Sequence, residues 1–215
     1  APVVYQVDRI RDGRSFTTRH VLAIQHGRPI FDLSCSFQDV EPGFEHQEQM
    51  PEGITPPEEL RSERQIYEAV VDRIPEHLRD ALTRERPVEI RPVDPKEKVN
   101  REPRAATKHI WFRAIDKMPD DPQLHSAVLA YASDFELLGT GMLPHGIKFQ
   151  DPGVQAASLD HALWIHRPFR VDEWLLYSMD SPSAADSRVL TRGKIFRRDG
   201  ALVASVVQEG LVRKR

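Results

Sequence analysis

The chain has 215 residues, of which 40% are hydrophobic and 29% are charged, and it carries a formal net charge of −3. This composition is typical of a soluble globular protein with a buried core, and it makes nucleic acid or an anionic membrane surface a poor candidate for the main partner. No apolar run approaches the roughly 20 residues that span a bilayer, and the single cysteine, Cys35, excludes an internal disulfide and favours a reducing cytoplasm.

Two β-hairpins are predicted, one near each end of the chain. Their turns contain His26-Gly27 and Asp199-Gly200. Asp-Gly between apolar strands is a strong hairpin signal, and His-Gly is a weaker one. A pair of bulky apolar residues follows each turn, so we interpret the two hairpins as parts of a duplicated β unit. The predicted strands at the two ends cover residues 3–7, 15–25, 28–38, 188–197 and 201–212.

The middle of the chain begins as a loop and continues as a helix and a charged, proline-rich stretch. Residues 42–57 are rich in Glu, Gln and Pro, and residues 58–74 space their aliphatic side chains as an amphipathic helix does. Apart from a short strand over residues 88–93, prolines and charges dominate as far as residue 104. We therefore expect residues 51–104 to connect two domains.

A regular α+β unit is predicted for the second half. A helix over residues 122–138 has Asp121 as its N-cap and Pro122 at its first position, and it is expected to bury one apolar stripe against the sheet. The stripe consists of Leu124, Ala127, Val128, Tyr131, Phe135 and Leu138. The further strands predicted here cover residues 110–114, 156–166 and 174–180.

Gln208 interrupts an apolar strand face. In the last strand, Leu202, Ala204 and Val206 share one face, and Gln208 follows them in register. A polar side chain in that position costs about 1–3 kcal/mol unless it is hydrogen-bonded. Gln208 therefore either has a structural hydrogen-bond partner or points into a functional site.

Asp134 and Ser158 are two further candidates for chemistry. Asp134 lies beside Ala127 on a helical wheel, at the border of the apolar stripe, where partial burial can raise the pKa of a carboxyl group and let it orient or deprotonate a water. Ser158, on a strand that faces this helix, could hold a water or stabilise an oxyanion. No Gly-x-Ser-x-Gly motif surrounds Ser158, so a Ser-His-Asp hydrolase has weak support. Each residue also has an ordinary structural interpretation, as an edge carboxylate and as a strand hydroxyl.

The histidines do not predict a metal site. His161 and His166 would lie on opposite faces of one strand, and the remaining histidines show no compact ligand spacing. Neither a metal nor another cofactor is expected. The basic residues of the second hairpin are either a solvated strand face or a site for an anionic group.

Segments along nearly the whole chain resemble the acyl-CoA thioesterase II family, the TesB-type enzymes with a double hot-dog fold. Any one of these segments alone would be unspecific, but their combination is highly specific. The matching segments are Arg11–Phe16, Ala23–Gln25, Ser36–Gln38, His46-Gln47, Met50-Pro51, Tyr131–Asp134, Leu159–His161, His166–Phe169, Glu173–Tyr177 and Val207–Gly210.

The resemblance implies an α+β double hot-dog, in which antiparallel sheets each wrap a central helix. Residues 1–50 would be the remainder of the first hot-dog unit, residues 51–104 a linker with an amphipathic helix, and residues 105–215 the second unit with the catalytic residues. The first unit would lack the N-terminal strand and helix of the family. We expect either residues ahead of Ala1 or another chain to cover its hairpin, and we favour the former.

The resemblance also implies the site and the substrate. In the family, an Asp on the second helix, a Ser or Thr on a later strand and a Gln on the last strand bind one water, and these roles fall on Asp134, Ser158 and Gln208. Asp134 would be the base or main orienter, the other two would hold the water, and a donor near the helix would stabilise the oxyanion. The substrate would be a medium- to long-chain fatty acyl-CoA, and the enzyme a homo-oligomer, either a dimer or a tetramer.

Two other functions are open at this point. A hot-dog hydratase or dehydratase would use an Asp-His pair on an enoyl or hydroxyacyl thioester, and Asp160-His161 offers such a pair, although adjacent strand residues face opposite ways. A noncatalytic acyl-CoA-binding protein would keep the fold without turnover.

Overall fold

Antiparallel strands form the start of the chain, as its His-Gly turn predicts. The structure, a computed structural model, describes residues 1–215 and divides into two units, Ala1–His46 and Gln47–Arg215. The first unit is one antiparallel sheet whose strands follow each other in chain order. His26 and Gly27 have φ angles of 51° and 73°, a geometry that suits a two-residue hairpin turn, so the predicted first hairpin is confirmed. The strands are β1 (Val4–Asp12), β2 (Phe16–Gln25) and β3 (Arg28–Gln38).

The first unit has very little core of its own. Ala23 is its one buried residue, with 3% of its surface exposed. The sheet carries apolar side chains on both faces, and this unit contains no helix. Large apolar side chains that are more than half exposed in this unit include Val4, Tyr5, Val7, Ile10, Ile30, Phe31 and Phe37.

A seven-stranded antiparallel sheet is the frame of the second unit. Its strands are β4 (Val88–Pro92), β5 (Thr107–Ala114), β6 (Val154–Ser158), β7 (Ala162–Ile165), β8 (Leu175–Ala185), β9 (Arg188–Arg197) and β10 (Leu202–Lys214). The order is β4-β5-β8-β9-β10-β6, and β7 pairs with β10 as well. The last two strands are the predicted second hairpin, and Gly200 in their turn has a φ angle of 86°.

Residues 51–104 contribute to this second unit and do not form a separate linker. β4 pairs with β5, from Val88 opposite Ala114 to Pro92 opposite Ile110. On the other side of β5, the indole Nε1 of Trp111 donates a 2.9 Å hydrogen bond to the backbone oxygen of Thr55. The assignment of residues 1–50 and 105–215 to two hot-dog units stays a prediction.

The predicted strand over residues 156–166 is wrong in one respect, because it is interrupted. β6 pairs with the end of β10, and β7 pairs with an earlier part of it. Between them, the carboxylate of Asp160 accepts a 2.8 Å hydrogen bond from the backbone nitrogen of Glu209, in place of a ladder carbonyl. The backbone nitrogen of Leu159 still donates to the carbonyl of Glu209 at 2.9 Å, but regular strand pairing is interrupted over residues 159–161, directly beside Gln208.

The predicted helix over residues 58–74 is also wrong, since only a short part of it is α-helical. Ser62 and Gln65 form a reciprocal capping box that starts the helix at Glu63, and the following residues form a separate short 3₁₀ turn. The spacing of aliphatic residues therefore predicted a longer helix than the one that begins at this cap. The helices of the unit are α1 (Glu63–Glu68), α2 (Glu76–Thr83), α3 (Lys96–Val99), α4 (Pro122–Ala132) and α5 (Leu137–Met142).

The predicted helix over residues 122–138 is two helices joined by a tight turn. Asp121 caps α4 as expected, accepting hydrogen bonds from the backbone nitrogens of Gln123 and Leu124. The chain leaves the helix after Ala132, and Glu136 has a left-handed φ angle of 68°. α5 then packs on β8, β9 and β10.

The buried face of α4 differs from the predicted stripe. His125, Leu129 and Ala132 are the buried residues, whereas Tyr131 is 56% exposed. Because α4 carries apolar side chains on most of its circumference, their spacing alone does not identify the face that packs on the sheet.

The sheet of the second unit is covered on both faces. Along β8, Leu175, Tyr177 and Met179 point into the core under α4 and α5, and Leu176 points to the opposite face beside two tryptophans. This alternation is what a strand buried on both sides requires. None of the helices has the length and apolar character that a membrane span needs.

Candidate active site

Asp134, Ser158 and Gln208 come together from three different elements. Asp134 lies in the turn between α4 and α5, Ser158 is the last residue of β6, and Gln208 is in the middle of β10. The amide Nε2 of Gln208 donates hydrogen bonds of 2.7 Å to Oδ1 of Asp134 and 2.6 Å to Oγ of Ser158. Oγ of Ser158 lies 3.4 Å from the same Asp134 oxygen. The structure thus joins the three predicted residues in one cluster.

Gln208 is the buried member of this cluster. Its side chain is fully buried, and both amide hydrogens are used by Asp134 and Ser158. Its Oε1 atom is buried without a hydrogen-bond partner from the chain. Gln208 therefore fixes the orientation of the other two side chains and keeps one acceptor unused.

The environment of Asp134 differs from the prediction. The side chain is exposed and lies beyond the helix end, not on the border of a buried stripe within the helix. Ser158 is exposed as well. In this chain the cluster is therefore a buried amide that holds two exposed oxygen-bearing groups at the surface, beside the interruption between β6 and β7.

Ser133 anchors the backbone next to Asp134, and no pattern in the sequence singled it out. It is fully buried, its carbonyl accepts a 2.8 Å hydrogen bond from the hydroxyl of Tyr177, and its own hydroxyl donates to the carbonyl of Ala130. Nε2 of His161 lies 2.8 Å from Oγ of Ser133. Since that hydroxyl proton is already donated, Nε2 of His161 is the donor in this pair.

The surroundings of His161 favour its neutral form. Burial lowers the pKa of its imidazole, and the carboxylates of Asp134 and Asp160 offset that effect in part. The predicted pair Asp160-His161 does not act on one point, because Asp160 accepts from Glu209 and His161 contacts Ser133. His166 is engaged elsewhere, 2.8 Å from Oγ of Ser205.

The basic residues of the second hairpin are a solvated strand face with carboxylate partners. The pairs are Arg188–Glu209, Arg192–Asp180, Lys194–Glu48, Arg197–Asp199 and Arg198–Glu58. Arg167 also has a partner, because it donates a hydrogen bond to the backbone oxygen of Leu202.

No group of three or more His, Cys, Asp or Glu side chains is arranged to hold a metal ion.

Comparison with known proteins identifies the family. The acyl-CoA thioesterase family profile matches residues 77–211, and the profile of the acyl-CoA thioesterase N-terminal domain matches residues 1–38. The chain belongs to the acyl-CoA thioesterase family. Among its relatives, acyl-CoA thioesterase 2 of Haemophilus influenzae is 37% identical over 99% of this chain and 74% of its own length. Human acyl-coenzyme A thioesterase 8 is 41% identical over 99% of this chain and 68% of its own length.

Solved structures share the fold of this chain. Acyl-CoA thioesterase II TesB2 from Mycobacterium marinum superposes with a TM-score of 0.79 at 43% identity, over 99% of this chain and 74% of that one. A hot-dog protein of unknown function from Alicyclobacillus acidocaldarius has a TM-score of 0.74 at 15% identity, over 99% of this chain and 73% of that one. The predicted hot-dog fold and thioester-hydrolase family are thereby confirmed.

Proposed function

We propose that this thioesterase hydrolyses medium- to long-chain fatty acyl-CoA to free fatty acid and CoA, with Asp134, Ser158 and Gln208 positioning the attacking water. The observation that supports this assignment is the pair of hydrogen bonds from the buried Gln208 amide to the other two side chains. A buried amide that uses both of its hydrogens in this way preorganises a carboxylate and a hydroxyl at the surface, beside the interruption between β6 and β7.

The proposed reaction needs no acyl-enzyme. Oδ1 of Asp134 accepts from Gln208, so Oδ2 is the oxygen that takes a proton from the water as the water oxygen bonds to the thioester carbon. When the tetrahedral intermediate collapses, the carbon–sulfur bond breaks and the proton passes from Asp134 to the CoA sulfur. Ser158 holds the water beside Asp134. A thioester carbonyl is electrophilic enough for a positioned water to suffice.

We further propose that an apolar cavity beside α4 takes the acyl chain. Its volume is about 380 Å³, within the range of small-molecule sites, which is about 300–1,000 Å³. Asp116 is the single charged residue in its lining. Ala127 and Tyr131 belong to this lining, and Asp134 follows Tyr131 by three residues, in the turn after α4. The lining residues are Pro87, Val88, Ala114, Asp116, Met118, Ala127, Val128 and Tyr131.

A chain-length series tests this cavity. In Val128→Trp the indole would fill the space, so kcat/KM for hexadecanoyl-CoA should fall at least about tenfold while kcat/KM for hexanoyl-CoA stays within about twofold. Gln123→Trp places the same bulk on an exposed position of α4 outside the cavity and should leave both values unchanged. Equal losses for both substrates in Val128→Trp would remove the acyl chain from this cavity.

The reaction type has its own test. Release of a free thiol from a saturated long-chain acyl-CoA supports hydrolysis by this chain. Hydration of an enoyl-CoA without thiol release would instead support a hydratase, and binding of acyl-CoA without either reaction would support a noncatalytic protein.

We also propose that the enzyme is a cytoplasmic homo-oligomer. The exposed apolar side chains of the first unit, among them Tyr5 and Phe31, suit the second of the two covers considered from the sequence, another chain, because monomeric proteins rarely expose large apolar patches. Light scattering coupled to gel filtration should give the mass of a dimer or tetramer. A monomer mass at micromolar concentration would contradict this assembly.

A further inference from the structure

The turn that carries Asp134 contains a residue in an unfavourable backbone conformation. Glu136 has a φ angle of 68°, in the left-handed region that residues with a Cβ rarely adopt. The turn begins after Ser133, whose backbone nitrogen closes α4 by bonding to Leu129. It ends where the carbonyl of Glu136 accepts from the backbone nitrogen and the hydroxyl of Thr140 in α5. A conformation of this kind persists only when its surroundings hold it.

The side chain of Glu136 supplies that hold. Its Oε1 accepts a 2.6 Å hydrogen bond from Nζ of Lys98 in α3, and its Oε2 accepts a 2.7 Å bond from Nζ of Lys108 in β5. Both lysine side chains are about 95% buried, at 6% and 5% exposure. Short bonds between opposite charges in a buried setting are among the strongest that side chains make. Glu136 is thereby fixed to two elements outside the turn.

Opposite charges around Glu136 offset the cost of burying them. Burial opposes the ionised form of Glu136, but the ammonium groups of Lys108 and Lys98 more than offset it and bring the pKa of the carboxyl below its usual range. Burial likewise opposes the charge on Lys98, and the carboxylates of Glu136 and Glu63 reverse that effect and raise its pKa. Glu136 and Lys98 thus hold each other in their charged forms.

We propose that Glu136 is the positioning residue for Asp134: its carboxylate, clamped by Lys98 and Lys108, fixes the left-handed turn that presents Asp134 to Ser158 and Gln208. The inference rests on the proposed role of Asp134. The hydrogen bonds of the Glu136 side chain go to Lys98 and Lys108 and not to the three cluster side chains, so it acts through the backbone of the turn. Asp134 is exposed and receives its two cluster contacts on a single oxygen, so the direction of its backbone decides whether these contacts form.

Two substitutions at Glu136 separate its backbone role from its side-chain role. Glu136→Gly adopts the left-handed conformation without strain but loses the clamp. Glu136→Gln combined with Lys108→Met keeps the length of the side chain and removes one charge of each sign, which guards against unfolding by an unpaired buried lysine. We expect kcat for thiol release to fall at least tenfold in both variants, with KM within twofold. Thermal unfolding should stay close to that of the wild type in the double variant and occur at a lower temperature in Glu136→Gly, which leaves two buried lysines without this partner.

The matched control is Glu63→Gln. Glu63 is the other carboxylate partner of Lys98, at 2.8 Å, and it lies on α1, away from the turn. This variant should keep kcat within twofold of the wild type. A tenfold loss in Glu63→Gln would show that any disturbance of the buried charge cluster lowers activity, and the specific role of Glu136 would be wrong.

A double-mutant cycle tests whether Glu136 acts through Asp134. In an Asp134→Asn background, Glu136→Gly should lower kcat no further, because the group that it positions is already disabled. Full additivity of the two losses would overturn the inference. Wild-type turnover in Glu136→Gly together with a collapse in Asp134→Asn would overturn this inference alone. Wild-type turnover in Asp134→Asn would overturn the proposed function itself.

Discussion

The side-chain amide of Gln208 donates a 2.7 Å hydrogen bond to Asp134, although 74 residues separate the two in the chain. The bond joins a fully buried strand residue to an exposed turn residue. It explains why a glutamine occupies an otherwise apolar strand face. From its buried position, the amide reaches two partners that lie at the surface, beside the interruption between β6 and β7. In the proposed reaction, Gln208 is therefore an orienting residue, and Asp134 is the base.

Replacing Gln208 with alanine should therefore reduce turnover moderately. Loss of its two orienting hydrogen bonds, about 1 kcal/mol each, corresponds to roughly a 30-fold lower kcat, with little change in KM. Steady-state thiol release measures both constants. A large rise in KM with unchanged kcat would instead place Gln208 in substrate binding.

Ser158 should tolerate threonine but not alanine. Its hydroxyl accepts from Gln208 at 2.6 Å, and the residue is the exposed end of a strand, where a β-branched side chain fits well. Ser158→Thr should keep kcat within about threefold, whereas Ser158→Ala should lose about tenfold, the worth of one hydrogen bond. Equal activity of the two variants would exclude a role for the hydroxyl.

The sequence predicted the members of the cluster better than it predicted their local structure. The two-residue period of the last strand made Gln208 visible, because a polar residue there breaks an apolar face. The local sequence predicts Asp134 within a continuous helix, since residues 131–138 contain no glycine or proline to end one. The structure instead has a turn there, in which Glu136 is in the left-handed region with Lys98 and Lys108 on its carboxylate, and both lysines are distant in sequence.

Other errors have the same origin in contacts that local patterns do not contain. The break beside Gln208 depends on Asp160 replacing a carbonyl in the ladder. The contact between His161 and Ser133 is formed only when β7 and α4 pack on one sheet. By contrast, both turn-centred hairpins and the cap at Asp121 were predicted correctly, because the residues that determine them are adjacent in sequence.

Gly193 should be intolerant of any side chain. A Cβ atom there would lie 2.2 Å from Cε2 of Tyr177, the buried residue whose hydroxyl holds the carbonyl of Ser133. Gly193→Ala should lower the free energy of unfolding by about 1–3 kcal/mol, as overpacking does, and should lower kcat through the displaced Tyr177. Urea unfolding measures the first effect. Gly43→Ala is the control, because no atom lies within 4 Å of its added Cβ; equal stability of the two variants would contradict the steric account.

Glu97 should make stability depend on pH. Its Oε1 is buried without a hydrogen-bond partner, and Nζ of Lys108 lies 3.7 Å away. Burial raises the pKa of this carboxyl from 4.5 to about 7, and Lys108 offsets the rise only in part. Because the folded state binds the proton more tightly, the stability that Glu97 contributes is fully present below pH 4.5 and is lost as the pH rises through about 7.

Glu97→Gln should remove this dependence. Between pH 5 and pH 8, the free energy of unfolding of the wild type should fall by about 2 kcal/mol more than that of the variant. Urea unfolding at several pH values provides the comparison. Parallel curves for the two proteins would show that Glu97 does not titrate in this range.

The most direct test of the account is thiol release from a long-chain acyl-CoA by the wild type and by Asp134→Asn, with folding of both checked by thermal unfolding. The substitution keeps the shape of the side chain and removes its ability to accept the proton of the water. We expect kcat to fall by at least about 10²-fold, the scale of a positioned acid-base group. Near wild-type turnover in the folded variant would contradict the assignment of Asp134 as the base.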